Sequence, residues 1–215
     1  MIYSDYYQPD FGYRLPVEPQ RGFQEIPKCF VRKDHTCGKY LNVSKSCFVA
    51  CPSDPEINYI VELIVAKLTK ISIEPIVAIR ERAYGQDIFC TKICGKIIES
   101  QFCIVILDDT LDKESKKFLP NTNVSYEYGL MTALGKHIIP LQKEGQSLAF
   151  NIQTHDTIKY TPMNLSSELD RSLKDAVKIT QDKKEEKRVP AGYYSQRQMN
   201  RSLEINGYKP SRVLK

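Results

Sequence analysis

The sequence predicts an α/β domain built on a five-stranded parallel sheet with helices on both faces. Short, unbroken apolar runs recur, among them Cys47-Phe48-Val49-Ala50-Cys51 and Phe102-Cys103-Ile104-Val105-Ile106-Leu107. Such runs suit strands buried on both sides, because successive side chains point to opposite layers. Between them lie stretches with apolar residues at three- and four-residue steps, the spacing of an amphipathic helix. The two kinds of segment alternate, and that alternation is the connectivity of a parallel sheet.

Residues 1–45 carry scattered Pro, Gly and aromatics without periodicity and read as an irregular N-terminal extension. The domain begins with the strand Ser46–Cys51, stopped by Pro52-Ser53-Asp54-Pro55. Asp54 can cap a helix and Pro55 suits its first position. Ile57, Ile60, Val61, Ile64, Val65 and Leu68 then form one helical stripe, and Pro75–Ile79 is a second strand. Asp87 opens a helix with Phe89, Ile93 and Ile97 on one face, and Phe102–Leu107 is the third strand. A loop of about a dozen residues follows, a length uncommon without a function. Asn123 is the expected cap of the next helix and Gly135 its left-handed stop. His137–Leu141 and Asp156–Tyr160 are the fourth and fifth strands, and Leu165, Leu169, Leu173 and Val177 mark the last helix. The domain thus spans 46–182, wound in the flavodoxin-like strand order 2-1-3-4-5, with a basic C-terminal tail over 183–215.

The net charge of +5 resides in that tail: from Lys183 to Lys215 nine Lys/Arg face three Glu, leaving residues 1–182 at −1. A nucleic-acid contact through the tail, with Tyr193, Tyr194 and Tyr208 for stacking, ranks below a merely solvated tail. No apolar run is long enough to span a bilayer, and the N-terminus lacks a secretory pattern, so a cytoplasmic protein without membrane contact is expected. Seven cysteines, an odd count, fit reduced thiols rather than a disulfide framework. Cys29, His35 and Cys37 are three donors short of a fourth, and the chain has no CxxC pair, so no metal site is expected. GxGxxG, Walker and GxSxG motifs are absent, which argues against dinucleotide dehydrogenases, NTPases and serine hydrolases.

In an open parallel sheet, ligands bind beyond the carboxyl ends of the strands where the strand order reverses. Here that point lies between strands one and three, so Ser53 and Asp54, Asp108 to Thr110, and Asn123 to Glu127 are expected to converge. Glu127, placed about one turn into its helix, should be held ionised by the dipole and free N–H groups. An ionised carboxylate suits a nucleophile or the stabiliser of an oxocarbenium ion. Complementing the dipole alone is an equal reading. Asp108 can accept from sugar hydroxyls and Ser53 can face a phosphate. Thr110, Asn123 and Tyr126 lie on the same edge. Gly129 lets a ligand approach the helix, and Arg80 and Arg82 can pair with phosphate.

These residues also carry a resemblance. Cys47–Ser53 resembles the first-strand motif of nucleoside 2-deoxyribosyltransferase-like proteins, and Ile104–Thr110 their third strand with its terminal aspartate. Asn123-Val124-Ser125-Tyr126-Glu127-Tyr128-Gly129, continuing through Ala133–Ile139, resembles a signature shared with bacterial TIR-like (Toll/interleukin-1 receptor-like) nucleotide-binding domains. Phe150-Asn151-Ile152 and Ile158-Lys159-Tyr160 extend the similarity, which covers 46–180. Cys51, Asp109 and Asn151 depart from the pattern. The resemblance implies cleavage or transfer at an N-glycosidic bond, with Glu127 as the family glutamate and Asp108 as the strand-end aspartate. It also implies that NAD or a nucleoside is the substrate, that no cofactor is needed, and that the chain self-associates as a homo-oligomer. Some relatives only sense nucleotides or mediate assembly, so a non-catalytic binding module is the alternative.

Overall fold

The computed structural model describes residues 24–29, 31–32, 34–81, 88–112, 114–146 and 156–186. Arg82, Asp87 and the segment Phe150-Asn151-Ile152 lie outside them, as does the tail beyond Glu186. The expected sheet is present: five parallel strands in the order β4-β3-β5-β8-β9. They are β3 (Ser46–Ala50), β4 (Glu74–Val77), β5 (Phe102–Ile106), β8 (Ile138–Lys143) and β9 (Ile158–Tyr160). In the order of these strands along the chain, this is 2-1-3-4-5, as the sequence predicts.

Alternation along the strands builds the two layers. Cys47, Val49, Phe102, Ile104 and Ile106 face one side, where they meet Ile60, Val61, Ile64 and Leu68 of α1 (Asn58–Lys70) and Leu165, Leu169 and Leu173 of α4 (Leu165–Glu186). Phe48, Ala50, Cys103 and Val105 face the other, against Ile97 and Ile98 of α2 (Gly95–Glu99) and Val124, Tyr128 and Met131 of α3 (Thr122–Ala133). Both layers are nearly closed to solvent. Removing apolar surface of this extent from water is the main force holding the sheet between its helices.

Two prolines fit this sheet for stated reasons. Pro75 lies in β4, an edge strand. Pro140 lies in the inner strand β8, paired with Val105 in register, while pairing of β8 with β9 begins one residue later, at Leu141 and Ile158. His137 and Leu141 turn their carbonyls to β5. By alternation the missing N–H of Pro140 faces the other side, before the β9 ladder starts.

The helix ends follow local chemistry. Asp54 accepts from the Glu56 N–H at 2.9 Å and starts a 3₁₀ turn, Pro55–Ile57, that leads into α1. Gly135, at φ +61°, ends α3. Its N–H donates to Thr132 O at 3.0 Å and that of Lys136 to Met131 O at 3.1 Å, the paired bonds of a Schellman stop.

The structure corrects four local expectations. The second strand stops at Val77, and Ala78–Arg80 is a 3₁₀ turn. The helix expected after Asp87 is wide-wound, π-helical over Ile88–Cys94 before α2. The long loop after β5 folds as an antiparallel hairpin of β6 (Asp109–Leu111) and β7 (Phe118–Pro120). Within the N-terminal extension, β1 (Glu25–Lys28) and β2 (Thr36–Tyr40) pair antiparallel, and Ile26 is buried against the α2/α3 layer. With five and four residues to a strand, these pieces are too short to show a period. Among the described residues no helix is long and apolar enough to cross a membrane.

Gly129 sits inside α3, exposed, and a methyl added there would meet nothing within 4 Å. Gly129→Ala is therefore expected to raise stability by about 0.5–1 kcal/mol through helix propensity, read as a higher urea midpoint at unchanged m.

Candidate functional site

Beyond the carboxyl ends of β3 and β4, on the α2/α3 side of the sheet, lies a cavity of about 360 Å³. Cys51 and Ser53 enter it from the end of β3, and Ala78 and Ile79 from the turn after β4. Phe89, Lys92 and Ile93 of the π-helical segment form one wall. Asn121, Asn123, Val124, Tyr126 and Glu127 form the other.

Local chemistry sets the α3 wall. The helix cap is Asn121, not Asn123: its Oδ1 accepts from the N–H groups of Asn123 at 3.1 Å and Val124 at 3.2 Å. The helix therefore starts at Thr122, which makes Glu127 its sixth residue. Val124, Tyr128 and Met131 pack inward, so Tyr126 and Glu127 fall on the flank that faces the cavity.

The cap sets how far Glu127 stands from the helix start. The dipole acts mainly within the first turn, where N–H groups are still free. Glu127 lies beyond it. Burial then dominates and pushes its carboxyl up from 4.5 to about 7, opposed by the Lys92 ammonium. The neighbouring Cys51 thiol is pushed up to about 11, by burial first and the Glu127 charge second, with the Arg80 charge opposing. A thiol so held is neutral and a poor nucleophile at physiological pH.

Ser53, Asn123, Tyr126 and Glu127 are thus brought together, and the other expected residues are not. Asp108 is 5% exposed and turns away from the cavity. Its Oδ1 accepts from the Lys143 N–H at 2.7 Å and its Oδ2 from the Tyr160 hydroxyl. Burial raises its carboxyl, while those two hydrogen bonds and the Lys143 charge oppose the rise. A carboxylate leaving an inner strand needs donors, and β8 and β9 supply them. This tether replaces the sugar contact expected of Asp108. Asp54 is committed to its cap, and Thr110 to the β6–β7 hairpin. Gly129 does not line the cavity, and Arg80 pairs with Glu62 at 2.5 Å. Arg82 lies outside the described residues.

Lys92, Phe89 and Cys51 are among the lining residues that sequence reasoning missed. The Phe89 and Tyr126 rings meet edge to face, with centroids 5.8 Å apart, and close one side of the cavity. A cation five residues ahead of the apolar pair Ile97-Ile98 carries no signal of its own until the wide-wound helix turns it toward α3. Among the described residues, no group of three His, Cys, Asp or Glu side chains is set to hold a metal ion.

No family model matches the chain, and no curated protein sequence does. Solved structures similar to it include the following two. The TIR domain of a Toll-related receptor from the lower metazoan Hydra magnipapillata is 20% identical, over 61% of this chain and 97% of that one, with a TM-score of 0.47. The 2-deoxyribosyltransferase of Leishmania mexicana is 15% identical, over 58% of this chain and 97% of that one, with a TM-score of 0.41.

The raised Glu127 carboxyl has a consequence for stability. The unfolded chain ionises this group near 4.5 and the folded chain near 7. Between those values the folded state binds the extra proton. Stability is therefore lost as pH rises through that window and levels off above it. Glu127→Gln, an isostere of the protonated form, should match the parent at pH 4 and exceed it by on the order of 1–2 kcal/mol at pH 8. Urea unfolding at the two pH values checks this; equal gains at both would rule out the ionisation as the cause.

Proposed function

We propose that the chain cleaves or transfers the N-glycosidic bond of a nucleotide-type substrate, NAD being the first candidate and a nucleoside the second. One observation carries this reading: Glu127 is the one carboxylate among the described lining residues, in a cavity of about 360 Å³ at a strand-end crevice. That volume lies in the range of small-molecule sites. The sequence signature around Glu127 supports the same chemistry.

As the bond between the anomeric carbon and the base nitrogen lengthens, the sugar gains oxocarbenium character. A carboxylate in a site of lowered dielectric stabilises that charge more than it would in water. It does so either electrostatically or by attacking the anomeric carbon to give a glycosyl ester, which water or a second nucleoside then displaces. Burial holds Glu127 only half ionised near neutral pH. A cationic sugar favours its ionised form, so the charge becomes strongest as the transition state develops. Lys92 faces a phosphate or ribose oxygen, the Phe89–Tyr126 pair offers an aromatic wall to the base, and Ser53 and Asn123 supply polar contacts. Asp108 has no substrate contact in this reading, since its oxygens are held by Lys143 and Tyr160. The same withdrawal favours the second reading, a nucleotide-binding module without turnover.

Incubation with NAD and with deoxynucleosides, with free nicotinamide or free base measured by chromatography, tests the proposal. Glu127→Gln is expected to lower turnover 10²- to 10⁴-fold, as loss of a positioned carboxylate does. In the parent, kcat/KM should climb with pH and reach a plateau above about 7, the ionised form being the active one. A profile that falls through the same pH would assign Glu127 as a general acid instead. Saturable binding without released base would leave only the binding module.

A further inference from the structure

A second cavity, of about 470 Å³, lies at the opposite edge of the sheet, at the amino ends of β5 and β8. Gln101 stands one residue ahead of β5 and lines it, together with Thr180 of α4 and Asn42, which follows β2. Ile26, Leu41 and Leu134 are its apolar walls. Polar side chains that line it are nonetheless closed off from bulk water: Gln101 is 2% exposed, and Lys136 and Thr180 are 6%. Buried polar groups are normally paired, so an atom left over among them carries information.

Neighbouring groups fix which way two amides point. The Thr180 hydroxyl donates its single proton to Ala176 O at 2.7 Å, so it accepts from Gln101 Nε2, also at 2.7 Å. Gln101 Oε1 is thereby turned elsewhere and accepts from no described group. Every side-chain N or O shut off from solvent among the described residues has a partner, so Oε1 opens into the cavity that Gln101 lines. At Asn42 the Lys136 ammonium, which has only donors, takes Oδ1. Asn42 Nδ2 then has no partner among the described residues. The same ammonium donates to Ile98 O at 3.2 Å and to Ser100 O, and the Asn42 N–H donates to Ile98 O at 3.0 Å. Asn42 is therefore held against the backbone that leads into Gln101. One cavity thus offers an unpaired amide donor and an unpaired amide acceptor over apolar walls.

We propose that this cavity is a second ligand site, for a neutral planar ring with a hydrogen-bond donor beside an acceptor, as in a carboxamide or a nucleobase. The ligand's N–H meets Gln101 Oε1, its acceptor meets Asn42 Nδ2, and its ring lies on Ile26, Leu41 and Leu134. The cavity volume is in the range of small-molecule sites. Charge selects the same class. The carboxyl end of α3 and the Glu25 side of β1 oppose an anion, and the Lys136 ammonium opposes a cation. None of the described residues lines both this cavity and that of Glu127, so binding here does not depend on turnover there.

Titration of the full chain with benzamide, nicotinamide and adenine, followed in ¹H–¹⁵N spectra, tests this. Saturable shifts of the Asn42 and Gln101 side-chain amides are expected, in Glu127→Gln as in the parent. The tighter of nicotinamide and adenine identifies the ring as carboxamide or base. Benzoate, an anion without the donor, should bind about tenfold more weakly or worse. Asn42→Asp keeps an oxygen toward Lys136, exchanges Nδ2 for a second acceptor, and tolerates the positive φ of +59° there. It should weaken benzamide about tenfold and strengthen benzamidine, which has donors on both sides, so that the preference reverses. No saturable shift at Asn42 and Gln101 with any probe, shifts that vanish in Glu127→Gln, or an unchanged preference in Asn42→Asp would overturn the proposal.

Discussion

A carboxylate taken out of water must find donors or keep its proton, and Asp108 and Glu127 at the carboxyl edge of this sheet meet that demand differently. Asp108 leaves the central strand β5 and is bonded at once, to the backbone of β8 and the hydroxyl on β9. Glu127 faces a cavity, where burial is opposed by the charge of Lys92. The first is spent on structure. The second keeps its chemistry, because nothing in the fold fixes its proton at neutral pH.

The division itself rests on the sheet. Parallel strands must be covered on both faces, and the crossover helices that cover them begin on one edge. α3 begins there and is anchored by Val124, Tyr128 and Met131 in the layer shared with α2. With those three inward, the flank bearing Tyr126 and Glu127 is turned toward Phe89 and Lys92. The wide winding over Ile88–Cys94 brings Phe89 and Lys92 to the cavity. π-Helical turns occur often at functional sites, where they re-aim side chains that a regular helix would direct elsewhere.

The outcome for particular residues shows where local rules sufficed. Asp54, Pro55 and Gly135 act through bonds to residues a few positions away, so their roles as cap, first position and left-handed stop were readable directly. Asn121 was missed in favour of Asn123 because both fit a cap, and only packing of Val124 and Tyr128 selects the register. That two-residue difference puts Glu127 beyond the first turn, and burial raises its carboxyl to about 7. The hairpins β1–β2 and β6–β7 were unreadable because three to five residues cannot establish alternation.

The sequence by itself determined the layered α/β architecture, its strand order and the presence of Glu127 at the strand-end crevice. Apolar runs and helical stripes impose burial along each segment, so they act through the chain's own periodicity. The tertiary structure decided which carboxylate meets the cavity and what protonation it has. Those outcomes depend on dielectric and on contacts between segments tens of residues apart, and neither quantity is a property of any local stretch of chain.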